Sequence, residues 1–214
     1  MNNTEWFSIR AMTLPATWVA LIFAFICVWF IMRIRFSKQW SSLYGDTIFT
    51  FVIVWKFSVI ITDFSTVMKQ PLALLYFNGG TMGFYLGILA VGFQLWRKQQ
   101  RMPFDEKGLI AIAWSLILTQ SCYQIFMLLL NSNALWQELV TLVVVLSMTP
   151  VVLWKVSETI LWKQQMFVLF TLVFAFMSTL QPLGILQTAM ITNVLFLVLW
   201  LILLKNIDVM EENE

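Results

Sequence analysis

The sequence predicts an all-α integral membrane protein, a bundle of about seven transmembrane helices forming a single membrane domain over 1–214. Three observations lead there. Of the 214 residues, 60% are apolar and 11% charged, whereas a soluble domain carries roughly 25% charged residues. The apolar residues fall in long blocks, and blocks of about 20 are what a bilayer core roughly 30 Å thick demands. The segments between the blocks are short, so little chain is left for an extramembrane domain.

Seven candidate spans follow in order: 14–32, 47–64, 72–96, 108–130, 135–154, 164–180 and 186–204. Backbone amides in lipid must be satisfied within the segment, so each block is expected to be a helix. The first block is long and is followed by basic residues, not by a small-residue cleavage site, which argues against a cleaved leader. With the N-terminus placed outside, the inner loops carry ten basic residues: Arg33, Arg35, Lys38, Arg97, Lys98, Arg101, Lys107, Lys155, Lys163 and Lys205. The outer segments carry Arg10 and Lys69, and Lys56 lies within a span. That bias predicts N-terminus out and C-terminus in. Trp6, Trp40, Trp96, Trp136, Trp154 and Trp162 fall near span ends, as an interfacial aromatic belt requires.

Composition also excludes chemistry. Histidine is absent, which removes the commonest general base and metal ligand and rules out a Ser-His-Asp or Cys-His centre. No metal site or cofactor is expected. Cys27 and Cys122 sit inside apolar blocks at depths of about 20 Å and about 12 Å from the outer span ends at 1.5 Å per residue. A disulfide needs Cα atoms within about 7 Å, so two separate buried thiols are the expectation. A net charge of +2 without a basic run excludes a nucleic-acid partner.

Three groups of residues carry the remaining signals. Gly79, Gly83 and Gly87 recur every four residues and line one helix face, which serves either close helix packing or backbone approach to a lipid headgroup. Lys56 is expected deep in the second span, with Asp63 seven residues on and on about the same face. A cation at that depth needs a partner, water or a lipid phosphate. Polar residues recur in the later spans, among them Gln120, Ser121, Gln124, Gln137, Glu138, Ser178, Gln187 and Asn193. They read either as interhelical hydrogen bonds or as the wall of a shared polar cavity.

In order, these landmarks resemble the bacterial prolipoprotein diacylglyceryl transferases, seven-span enzymes with N-terminus out and C-terminus in. The opening segment LPATWVALIFAFICVWFIMRIRF resembles that family's first helix with its trailing basic residues. YGDTIFTFVIVWKFSVI resembles the second, with Lys56 at or beside a family arginine. PLALLYFNGGTMGFYLG, GLIAIAWSLILTQSCYQIFMLLLN, LWQELVTLVVV and LGILQTAMITNVLF resemble later landmarks, the last with Gln187 on a family glutamine. The departures are chemical. The family histidine falls on Phe84, the signature arginine on Gln124, the signature asparagine on Met127, and the sixth-span arginine near Ser178. One lysine does not replace two bidentate arginines. The resemblance therefore implies a non-catalytic relative in the bacterial cytoplasmic membrane that binds an anionic phospholipid or a membrane or lipoprotein partner. Lys56, Gly79, Gly80, Gln120, Gln124 and Gln187 are the candidate lipid-binding residues. Two alternatives stand beside it: a divergent but active phosphatidylglycerol-dependent transferase, and a small transporter or membrane thiol-redox protein.

Overall fold

The computed structural model describes residues 6–9, 12–72, 74, 77–131, 134–158, 160–181 and 184–211. Among them are seven long helices: α1 Ala16–Arg35, α2 Lys38–Phe57, α3 Gly80–Arg101, α4 Glu106–Leu130, α5 Leu135–Val156, α6 Ile160–Thr179 and α7 Thr188–Glu211. A short antiparallel hairpin precedes them, with β1 Trp6–Ile9 paired to β2 Met12–Pro15 in the register Trp6 with Pro15 and Ile9 with Met12. Hydropathy did not signal this hairpin.

Each expected span contains one long helix, but two begin elsewhere. The second was expected at 47–64, where apolar residues begin. The helix starts instead at Lys38, directly after Ser37, and the polar stretch through Asp46 is already helical. It ends at Ser58, whose Oγ donates back to the Trp55 carbonyl at 2.8 Å. Two short helices, Val59–Thr62 and Phe64–Lys69, then meet at Asp63, which is not helical (φ −141°). Lys56 lies in the last turn of α2, inside a helical segment that runs on through Thr62, and the backbone leaves helical geometry at Asp63. Its charge there complements the negative end of the helix dipole. The third span was expected from 72, yet α3 begins at Gly80 with φ +57°. Hydropathy sees the apolar run after Pro71 but not the backbone reversal that Asn78-Gly79-Gly80 imposes.

Four helical segments are long and apolar enough to cross a bilayer: Ala16–Arg35, Lys38–Thr62, Glu106–Leu130 and Leu135–Val156. The described apolar part of α7, Thr188–Leu204, is shorter than these. Of those four segments α4 is central, with 67% of its apolar window buried against 17–33% for the others. The outward faces carry large apolar side chains, such as Phe23, Phe49, Leu89, Leu139, Leu172 and Val198. A water-soluble protein rarely presents so much contiguous apolar surface, and the pattern is consistent with a protein that lives in lipid.

Two pairings hold the bundle most closely. In the first, α1 packs on α4 through a small-residue stripe: Ala16, Ala20 and Ala24 are fully buried and continue into Val28 and Met32. Small side chains let backbones approach and gain dispersion contacts where no hydrophobic force separates helix from lipid. In the second, α2 packs on α3 through Gly83 and Gly87. A Cβ on Gly87 would stand 2.8 Å from the Phe51 ring. One on Gly79 or Gly83 would collide with the Ser58 hydroxyl.

The helices alternate in direction, so charged ends gather. Arg33 and Arg35 close α1, Lys38 opens α2, Lys98 and Arg101 close α3, and Lys155 closes α5 at the same end of the bundle. Asp105 caps α4 there by accepting from the Gly108 amide at 2.8 Å. The expected span limits place Lys163 in a loop. It lies inside α6, is only 3% exposed, and pairs with Glu106 at the start of α4. The Lys155 ammonium sits 4.9 Å and 5.0 Å from the ring centres of Trp154 and Trp162, and bonds Glu158 at 3.1 Å.

Candidate functional site

A cleft of about 360 Å³ opens between α1, α2, α3, α4 and α7. That volume falls within the ordinary range for ligand sites, about 300–1,000 Å³. Along α1 its lining runs from Thr17 to Met32, about 22 Å at 1.5 Å per residue. The cleft is therefore long and parallel to the helices, with the shape of a chain more than of a compact solute.

Its lining has three levels. Trp18, Leu21, Phe25, Phe51, Trp55 and Phe84 form an aromatic upper wall near the α3 N-terminus. Phe84 meets the Phe51 ring edge-on at 5.3 Å and the Trp55 ring at 6.1 Å. Met32, Trp40, Leu43, Val91, Leu95 and Leu199 form an apolar lower wall toward the basic end. Between them lies a belt of hydroxyls from α2, α4 and α7: Tyr44, Thr47, Ser115, Thr119 and Thr192. The Tyr44 and Thr119 oxygens are 2.8 Å apart. Thr119 Oγ1 also donates to the Ser115 carbonyl at 2.6 Å. The single Thr119 proton is spent there, so the Tyr44 hydroxyl is the donor between the two. Among the described residues that line the cleft, none is charged.

The upper mouth is tied by backbone groups. Trp55 Nε1 donates to the Gly80 carbonyl at 3.0 Å, the Gly79 amide donates to the Trp55 carbonyl at 3.1 Å, and the Gly80 amide donates to Asn78 Oδ1 at 2.9 Å.

The six candidate residues fall in different places. Gly80 and Gln120 line the cleft, and Gln120 Nε2 also donates to the Ala189 carbonyl of α7 at 3.0 Å. Gly79 is a packing position against Ser58. Lys56 is half-buried and stands outside the cleft lining, because the lining face of α2 runs through Tyr44, Thr47, Phe51 and Trp55. Gln124 is buried beside a second cavity of about 20 Å³, near the size of one water, whose other polar neighbours are Thr141, Ser178 and Gln181. Gln187 Nε2 donates to Ser178 Oγ at 2.7 Å, and Ser178 donates to the Phe174 carbonyl at 2.9 Å.

Other polar side chains link helices. Ser121 and Thr149 oxygens are 2.8 Å apart across α4 and α5, and Gln137 Nε2 donates to the Leu180 carbonyl beyond α6 at 3.0 Å. Asn193 differs: it is fully buried in α7, and neither Oδ1 nor Nδ2 has a hydrogen-bond partner among the described residues. Cys27 and Cys122 are half-buried free thiols. No group of three metal-ligating side chains occurs among the described residues.

Fold and cleft together define a helical bundle of membrane character with a sizeable, largely apolar cleft between α1, α2, α3, α4 and α7. No protein-family model, no curated protein and no solved structure matches this chain.

Proposed function

We propose that this chain is a multi-pass protein of the bacterial cytoplasmic membrane, crossing it about seven times with the N-terminus outside, and that it holds a membrane lipid without transforming it. The hydrocarbon of that lipid lies in the cleft between α1, α2, α3, α4 and α7. The observation that carries this reading is the shape and chemistry of the cleft: about 360 Å³, extended along the helices, and walled above and below by aromatic and aliphatic side chains. Gathering of the basic residues at one end supports the orientation.

A non-catalytic role is supported by what replaces the chemistry of the resembled transferases. Phe84 is packed in an aromatic cluster, and Ser178 is occupied by Gln187 and its own helix. Neither offers a general base or an anion-binding cation. The lipid reading rests on the hydrocarbon cleft and not on Lys56, whose charge lies on another face of α2.

Native mass spectrometry of the purified protein in mild detergent tests this. Wild type is expected to retain lipid, and Val91→Trp, which fills the lower cleft, is expected to lose it. A lipid-free wild type, or equal retention in both, overturns the reading. Orientation is tested separately by cysteines introduced at positions 3 and 212 in a background lacking Cys27 and Cys122. Impermeant reagent is expected to label the first alone from outside the cell.

A further inference from the structure

We infer that the cleft selects an uncharged lipid alcohol and discriminates against phosphate- and carboxylate-bearing lipids; this rests on the cleft being a lipid site. The protons of the hydroxyl belt are held by the protein itself. Thr47 Oγ1 donates to the Tyr44 carbonyl at 2.7 Å, Ser115 Oγ to the Ile112 carbonyl at 2.7 Å, and Thr192 Oγ1 to the Thr188 carbonyl at 2.8 Å. Thr119 donates to the Ser115 carbonyl and Tyr44 to Thr119. Each hydroxyl has one proton and two acceptor lone pairs. The protons of these five hydroxyls are therefore spent inside the protein, so each of the five presents only acceptor lone pairs toward the cleft.

An acceptor-lined belt in an apolar cleft recognises a group that brings its own proton. A hydroxyl does so. At the belt, a phosphodiester or carboxylate group brings acceptors and a negative charge to lone pairs, and no cation among the described lining residues offsets its desolvation. The apolar walls on both sides of the belt place the alcohol partway along the hydrocarbon and not at an exposed tip. Gln120 also lines the cleft, with one of its two Nε2 protons donated to the Ala189 carbonyl. Its amide side chain adds one more polar edge from α4.

The test offers the full-length protein, in detergent, three probes of matched chain length: a long-chain alcohol with its hydroxyl in mid-chain, a fatty-acid anion, and phosphatidylmethanol, a phosphodiester lipid without a hydroxyl. Retention is read by native mass spectrometry. The alcohol is expected to be preferred, and Thr47→Val and Thr192→Val, which keep shape and remove an acceptor, are each expected to weaken it about fivefold while leaving the anions unchanged. Ser115→Ala is the replacement should either variant lose its circular-dichroism signature. Preference for an anion, or undiminished alcohol retention in the folded variants, overturns the ligand class but leaves the cleft a lipid site. Retention of none of the three overturns both readings.

Discussion

The indole of Trp55 reaches across 25 residues of sequence to donate to the carbonyl of Gly80, at 3.0 Å. Gly80 holds a positive φ, which a residue without a Cβ adopts without strain. The bond joins the end of α2 to the first residue of α3 at the upper mouth of the cleft. Trp55→Phe keeps the ring and removes the donor. It is expected to cost about 1 kcal/mol, read as a lower thermal midpoint in detergent.

The α2–α3 contact makes a sharper claim. Gly83→Leu drives a side chain into Ser58 and the Trp55 carbonyl, and overpacking of this kind costs typically about 1–3 kcal/mol. Gly92 serves as the control, because a Cβ there meets only Leu199 Cδ1 at an ordinary 3.7 Å. Gly92→Ala is expected to leave the thermal midpoint unchanged or to raise it. Equal effects of the two would deny the close packing.

Lys163 is 3% exposed while its partner Glu106 is 68% exposed, so solvent screens most of the pair's attraction. Glu106→Gln is expected to cost about 1 kcal/mol or less. Lys163→Met removes the buried charge itself and keeps the apolar stem; in the Glu106→Gln background it is expected to restore stability. A double-mutant cycle with purely additive effects would show that the two groups are not coupled.

Asn193 carries a buried carboxamide with no partner among the described residues. An unsatisfied buried polar group costs about 1–3 kcal/mol, whereas an apolar replacement of similar shape is free of that penalty. Asn193→Leu is expected to raise the thermal midpoint. A fall would reveal a bound water or ligand that the carboxamide serves.

A strain lacking its diacylglyceryl transferase offers a test in the cell. Expression of this chain is expected not to restore growth or lipoprotein lipidation, since Phe84, Gln124 and Ser178 stand where the resembled enzymes carry their histidine and arginines. Lipidated lipoprotein on a gel would show that another set of residues does the chemistry.

The helices were legible in the sequence and the cleft was not. Runs of apolar residues locate α1, α4 and α5 closely, because hydropathy and helix coincide there. They misplace α2 and α3, where helix limits are set by Ser37, Ser58 and Gly80 through backbone geometry that hydropathy does not record. The Gly79-Gly83-Gly87 spacing announced a packing face. The equally regular Ala16-Ala20-Ala24 spacing carried the same message within a run that hydropathy treats as uniform. The hydroxyl belt gathers residues from positions 44 to 192, and no local pattern connects them. Lys56 is a charge inside an apolar run, and the structure sets it in the last turn of α2, outside the cleft lining. Lys163, which looked like a loop residue, is the more deeply buried cation.

The alanine stripe also bears on how the chain is made. During synthesis α2 and α3 emerge in succession and can dock through Gly83 and Gly87 as soon as both have left the ribosome. α1 can meet α2 by then, but its close pairing must wait, because α4 is the fourth of the long helices to be translated. Until then the backbone beside Ala16, Ala20 and Ala24 is covered only by lipid or by the insertion machinery. A nascent chain arrested after α3 should therefore leave α1 crosslinkable to that machinery, and one arrested after α4 should release it.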